Sequence, residues 1–122
     1  MYKMILVPTD GSDLSNEAVK EAAKLAVFHQ AQLHILHVRA QHDRPLYSDG
    51  SAIRYVPKKT AKEQEQSAEQ ALLAKAAKLA LKCGAQSETQ FVTNNSPYEA
   101  IIKSAKKLGV DLIVMASHGS WP

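Results

Sequence analysis

The sequence predicts an α/β fold, an open parallel sheet with helices on both faces and the strand order 3-2-1-4. Short apolar runs alternate with longer segments in which small apolar residues recur every three or four positions. The order is strand–helix three times and then a strand, and this alternation implies right-handed crossovers between parallel strands. If the first three strands build outward in one direction, the fourth returns beside the first.

The first half of the chain supplies two strands and two helices. Residues 4–7 form a continuous apolar run, typical of a strand covered on both faces. Ser12 or Asp13 can cap the following helix, which ends near Gln30, and residues 33–38 form the second strand. Residues 39–59 show no sustained period and predict a long loop. Thr60 then opens a long helix that ends at Gly84, with a core face marked by Ala68, Leu72, Ala76, Leu79 and Cys83.

The second half repeats the pattern. Residues 87–93 form a more polar third strand, which indicates a position near the sheet edge. Ser96, Pro97 and Glu99 have the spacing of a capping box, and the helix they open ends at Gly109. Residues 111–116 form the most apolar run and predict the fourth strand, which residues 117–119 interrupt.

Composition limits the class of protein. The chain has 122 residues, of which 45% are apolar and 22% charged, with one cysteine and a formal charge of +3. We expect one domain over residues 1–122, in the reducing cytoplasm, without a signal peptide or membrane span. The lysines recur at helical spacing among glutamates and glutamines, which favours solvated helix faces over a nucleic-acid surface.

A ligand site is expected where the strand order reverses. In an open parallel sheet, ligands bind beyond the carboxyl ends of the strands at this point. That crevice would lie between residues 9–11 and 116–119, both of which hold small or polar residues directly after an apolar strand. The first segment also opens a helix, whose N-terminus favours an anion, so a phosphorylated ligand is the natural candidate. The alternative is that Gly11 and Gly119 are ordinary turn glycines and Ser12 an ordinary cap.

Three segments in order resemble the universal stress protein family. They are Val-Pro-Thr-Asp-Gly-Ser at 7–12, Leu-His-Val at 36–38 and Asp-Leu-Ile-Val-Met-Ala-Ser-His-Gly at 111–119. The resemblance implies a Rossmann-like fold of the adenine nucleotide alpha hydrolase-like type with five strands. It also implies a homodimer that binds ATP, ADP or AMP, with Mg²⁺, in the response to stress. Residues that match the family's nucleotide-binding positions are Pro8, Thr9, Asp10, Val38, Met115, Ala116, His118 and Gly119.

The matched positions carry different expected roles. Asp10 resembles the acidic residue near the ribose and the metal-bound phosphates, and Pro8 and Thr9 would line the same wall. Val38 matches the position whose backbone contacts the adenine edge. Met115, Ala116, His118 and Gly119 match the start of the phosphate and ribose loop, where backbone amides form a nest for anions.

The sequence departs from the family pattern at two points. Ala116 stands where the ATP-binding members have the first glycine of Gly-x2-Gly-x9-Gly-(Ser/Thr). The chain also ends at Pro122, so we expect an incomplete domain that lacks the fourth helix, the fifth strand and the distal phosphate contacts. These departures keep open a dimerisation or adaptor function without nucleotide.

Other site chemistries are weaker. His34 and His37 point to opposite faces of a strand and suit no metal cage, and we expect His37 to line the pocket wall. Ser117 lacks both glycines of a nucleophile elbow, which argues against a hydrolase. With no evident general base or arginine finger, we expect no enzyme, or at most slow ATP hydrolysis. A distant alternative is an ATP-dependent ligase, because residues 10–13 faintly resemble a pyrophosphatase loop.

Overall fold

The fold is built on four parallel strands in the predicted order. A computed structural model describes residues 1–39 and 58–116, apart from the side chains of residues 58–66. The elements are β1 (Met4–Pro8), α1 (Asp13–His29), β2 (Gln32–Arg39), α2 (Lys58–Lys82), β3 (Ser87–Thr93), α3 (Pro97–Leu108) and β4 (Leu112–Ile113). The sheet order is β3-β2-β1-β4 with every pairing parallel, which confirms the predicted fold class and strand order. Among the described helices, none is long and apolar enough to cross a membrane.

The two faces of the sheet carry separate cores. Alternate side chains of a strand point to opposite faces, so Ile5 and Val7 pack on one side and Leu6 on the other. The first side is covered by the small apolar residues of α1 and by α2. The second side is covered by α3 through Ile101. Helices therefore lie on both faces, as the sequence predicts.

Local signals at the helix ends agree with the structure. The Ser12 hydroxyl accepts from the N–H of Ser15 at 3.1 Å and caps α1, which ends at Gln30 in the left-handed conformation. Ser96 caps α3 by accepting from the N–H of Glu99 at 3.3 Å. The predicted reciprocal bond from Glu99 is replaced, because the Ser96 N–H donates to Asn94 Oδ1 at 2.8 Å.

Two element predictions need correction. Helix α2 begins at Lys58, two residues before the predicted Thr60. Among its described side chains, Leu73, Ala76 and Ala80 are buried, and the predicted core residues Leu72, Leu79 and Cys83 pack against the same core. The predicted core residue Ala68 is exposed. Strand β4 is shorter than the predicted 111–116 because it pairs with β1 only at residues 112 and 113, although the Val114 N–H still donates to Leu6 O at 2.9 Å. The predicted loop lies outside the described residues, apart from Arg39 and the first residues of α2.

Candidate functional site

A cavity lies beyond the carboxyl ends of β1 and β2, beside the residues that follow β4. Its volume is about 160 Å³, and its walls come from the end of β1, the start of α1, Val38, the first turns of α3 and residues 115–116. Six residues predicted from the sequence line it, namely Pro8, Thr9, Asp10, Val38, Met115 and Ala116. Three lining residues were not predicted, namely Ser15, Pro97 and Ile101. His118 and Gly119 lie outside the described residues, so their contacts stay predictions.

A compact hydrogen-bond network shapes the turn between β1 and α1. Thr9 Oγ1 and Ser15 Oγ are both buried and lie 2.9 Å apart, and the Gly11 N–H donates to Thr9 Oγ1 at 3.2 Å. The Ser15 hydroxyl donates to Asp10 Oδ1 at 2.9 Å, and the Ser12 N–H donates to the same oxygen at 2.9 Å. The turn is thus held by side chains from its own sequence, and the Asp10 carboxylate is fixed at the cavity rim.

Asp10 is an anion at neutral pH. The hydroxyl and the backbone N–H of Ser12 lower the pKa of its carboxyl, and they outweigh the opposing effect of partial burial. The side chain remains exposed and lines the cavity. An ionised, accessible carboxylate at this position can act as an oxygen ligand for a divalent cation.

The backbone N–H and C=O of Val38 point toward the β1 side of the sheet, just past the end of the β1–β2 ladder. Leu36 O accepts from the Thr9 N–H at 2.8 Å, and Arg39 O accepts from the Asn94 N–H at 3.0 Å. Successive residues of a parallel strand direct their N–H and C=O groups to opposite neighbours. Val38 therefore directs both groups toward the β1 side, beyond the Thr9–Leu36 bond, where the cavity lies.

A buried polar contact behind this wall connects β1, β2 and α2. The Nδ1 of His37 hydrogen-bonds to the Thr9 carbonyl at 2.8 Å, and its Nε2 contacts the carboxylate of Glu69 in α2. Arg39 Nε lies 3.9 Å from Glu69 Oε2. His37 is therefore not among the described residues that line the cavity, which corrects that prediction. Its side chain lies on the sheet face opposite that of His34, which contacts Gln90 at 3.1 Å, as the strand period predicts.

Sequence reasoning missed Glu69. The residue lies four positions before Leu73, on the same stripe as Ala76 and Ala80, although its side chain is only 12% exposed. A carboxylate in line with an apolar helical stripe is the signal that could have identified it, because buried charges are paired in folded proteins.

Helix α2 also contacts the β1–α1 turn directly. Gly11 adopts φ +84°, and a Cβ built on it would lie 2.9 Å from Leu72 Cδ1. Leu72 is three residues after Glu69, on the adjacent turn of the helix. The same part of α2 thus supports the turn through an apolar contact and through the His37 contact.

Comparisons with known proteins assign the chain to a family. The model of the universal stress protein family matches residues 1–122, and the chain belongs to this family. It is 36% identical over 122 residues to universal stress protein YxiE of Bacillus subtilis, covering 98% of this chain and 81% of that protein.

Solved structures of the family share the fold. A universal stress protein in complex with cAMP is 26% identical with a TM-score of 0.65, over 92% of this chain and 70% of that one. The universal stress protein UspA from Lactobacillus plantarum is 26% identical with a TM-score of 0.70, over 98% and 81% respectively.

Proposed function

We propose that this chain binds an adenine nucleotide, ATP or its ADP and AMP forms, and acts as a cytoplasmic stress-response regulator or sensor rather than a catalyst. The observation that carries the proposal is the convergence of three separate segments on one cavity. These are residues 8–10, Val38 and residues 115–116, each at the end of a strand. The family member in complex with cAMP, at 26% identity, supports an adenine nucleotide as the ligand class.

The lining residues divide by the chemistry they offer. The backbone N–H and C=O of Val38 suit the edge of a base, which presents a donor beside an acceptor. Pro8, Ile101 and Met115 supply apolar surface for the flat face of a ring. The cavity is smaller than the roughly 300 Å³ of typical small-ligand pockets, so it accommodates part of a nucleotide rather than the whole molecule.

Asp10 is the candidate contact to the phosphate end of the ligand through a metal ion. Mg²⁺ is bound in proteins by one or two carboxylates together with substrate phosphates. The Asp10 carboxylate meets this requirement because its pKa is lowered and its side chain is exposed at the rim. When bound with the nucleotide, Mg²⁺ would neutralise phosphate charge, and Asp10 would hold it beside the start of α1.

Asp10→Ala tests this assignment. We expect Mg-ATP affinity to fall about tenfold or more, because contacts of charged groups are worth about 1.5–3 kcal/mol. Isothermal titration calorimetry on the parent and the variant measures the change. Asp13→Ala is the matched control, since Asp13 is an exposed carboxylate in the first turn of α1 that does not line the cavity. Absence of heat with ATP, ADP, AMP and cAMP in the parent protein would reject nucleotide binding.

Ala116 supports a second candidate function, a homodimeric adaptor without nucleotide. A methyl group stands in the cavity wall where the nucleotide-binding pattern has a glycine. An Ala116→Gly variant discriminates the two functions, since it should raise nucleotide affinity only if the cavity is a nucleotide site. Light scattering at several concentrations tests the homodimer, which either function would use. A dimer that gives no heat with any nucleotide would favour the adaptor.

A further inference from the structure

We propose that His37, held by Glu69, is a positioning residue that keeps the backbone N–H of Val38 available for the edge of a purine base. The inference rests on the proposed nucleotide site and concerns how that site recognises its base. It depends on the end of the β1–β2 ladder, on the partners of His37 and on the direction of the Val38 backbone.

The hydrogen-bond ladder between β1 and β2 stops after the bond from the Thr9 N–H to Leu36 O, although the register would permit one more bond. Pro8 pairs with Leu36, and the Thr9 N–H donates to Leu36 O. In a regular parallel ladder, the Thr9 carbonyl would next accept from the N–H of Val38. Among the backbone hydrogen bonds of the described residues, that bond is not formed. The Thr9 carbonyl accepts from His37 instead, at 2.8 Å.

This bond determines where one proton of the His37 ring lies. A carbonyl oxygen can only accept, so Nδ1 must carry the proton that it donates. The ring is then fixed from two further sides. Its Nε2 contacts the Glu69 carboxylate, and its plane lies within 17° of the Phe91 ring at a centroid distance of 6.3 Å. His37 is 8% exposed, so water competes little for the Thr9 carbonyl.

The consequence for the ligand is a free donor beside a free acceptor. Val38 directs its N–H and C=O to the same side of the strand, into the cavity region. Adenine presents an acceptor at N1 next to the exocyclic N6 amino donor, and the two groups complement such a backbone edge. If the Thr9 carbonyl captured the Val38 N–H, the donor would be lost and only the acceptor would remain.

Amide exchange in the nucleotide-free protein provides the first test. In His37→Leu the released Thr9 carbonyl should accept from the Val38 N–H, so exchange of that amide should slow by about tenfold. His37→Asn should restore the parent rate, because the Asn amide can donate from the place of Nδ1. His34→Leu is the matched control, since His34 is equally buried on the same strand but faces the other side of the sheet.

Calorimetry with AMP and 1-deaza-AMP, which lacks the N1 acceptor, provides the second test. The parent should prefer AMP by about fivefold to tenfold, and His37→Leu should lose this preference while His37→Asn keeps it. Glu69→Leu tests the same role of His37 if the histidine variants fail to fold. We expect this variant to fold, because position 69 continues the apolar stripe of Leu73, Ala76 and Ala80. It should slow exchange at Val38 in the same direction, by a smaller factor.

The outcomes separate this inference from the proposed function. Slower exchange at Val38 in His37→Leu supports the part of the inference that concerns the backbone, namely that His37 keeps the Val38 N–H free. If the parent protein then bound no nucleotide, the proposed function and the recognition of a purine base would be rejected, but this role of His37 would stand. Nucleotide binding by the parent with unchanged Val38 exchange in both His37→Leu and Glu69→Leu would overturn the inference and leave the proposed function intact.

Discussion

At the scale of single residues, Gly11 shows how a turn depends on a distant helix. Its φ of +84° is a conformation that side chains other than glycine rarely adopt, and its Cα faces Leu72 of α2. Two costs therefore meet at one position, the conformational strain of a Cβ and its overlap with Leu72. The turn that presents Asp10 to the cavity is determined both by its own hydrogen bonds and by this close approach.

Gly11→Ala should destabilise the protein by more than the conformational cost of about 1–2 kcal/mol. Urea unfolding measures the change in the free energy of unfolding. Gly109→Ala is the matched control, because Gly109 has a similar φ of +70° and no atom within 4 Å of its would-be Cβ. The difference between the two variants isolates the Leu72 contact. Equal destabilisation would mean that Leu72 moves aside without cost.

At the scale of elements, Asp111 joins the start of β4 to the start of β1. Its Oδ2 accepts from the N–H of Lys3 at 2.6 Å and from the N–H of Met4 at 3.2 Å. Its own N–H donates to Met4 O at 2.9 Å. The bonds from the backbone N–H groups of Lys3 and Met4 lower the pKa of the Asp111 carboxyl. The Asp111 side chain thus ties the start of β4 to the start of β1. This contact adds to a short ladder, because β4 pairs with β1 only through residues 112 and 113.

The stabilisation by Asp111 should depend on pH in a defined direction. Because its folded-state pKa is lowered, the contribution is complete above the ordinary value of about 3.8 and is lost as pH falls through the lowered folded-state pKa. Asp111→Asn should therefore be less stable than the parent at pH 7, and the difference should shrink below about pH 4. Urea unfolding at pH 7, 4 and 3 measures it. A difference that stays constant over this range would contradict the assignment.

The sequence of α2 does not determine which side of the helix faces the sheet. Residues 71–81 read Ala-Leu-Leu-Ala-Lys-Ala-Ala-Lys-Leu-Ala-Leu, so apolar side chains cover most of the helix surface. The stripe beginning at Ala68 and the stripe beginning at Glu69 are both compatible with this pattern. Contact with the sheet buries Glu69 rather than Ala68, because Glu69 meets His37 and Arg39 there. The other predicted core residues, Leu72, Ala76, Leu79 and Cys83, are buried or pack against the same core, so only Ala68 was wrong.

At the scale of the whole molecule, the sheet divides into a buried centre and less protected edges. Side chains at residues 5–7 of β1 and at residues 33, 35 and 36 of β2 are at most 1% exposed. In contrast, all seven residues of β3 are partly or fully exposed, and β4 spans two residues. Stability should therefore be distributed unequally among the strands.

Native-state hydrogen exchange should reproduce this division. The ladder amides of β1 and β2 should exchange only through global unfolding, and those of β3 at lower free energy through partial opening. Exchange at increasing denaturant, followed by NMR, separates the two classes by their denaturant dependence. Equal protection of β2 and β3 would indicate one cooperative unit instead.

Most of the fold follows from local signals in the sequence. Strands, helix starts and helix ends are encoded by neighbouring residues such as Ser96, Pro97 and Gly109, whose preferences act over one turn. The strand order follows because crossovers between parallel strands have one hand. Thr9, Asp10 and Ala116 could be predicted together because strand ends meet at one edge of such a sheet. The resemblance to the family supplied Pro8, Val38 and Met115, which line the same cavity.

The sequence by itself thus determined the elements, their order and the place of the cavity. Only the tertiary structure decided which face of α2 is buried and which partner the Thr9 carbonyl takes. Both depend on residues far apart in the chain, namely Glu69, His37 and Thr9. A helix with apolar residues on most sides can bury any of them, so packing against the sheet decides which side is buried. A backbone carbonyl accepts from whichever donor the fold brings within hydrogen-bond distance.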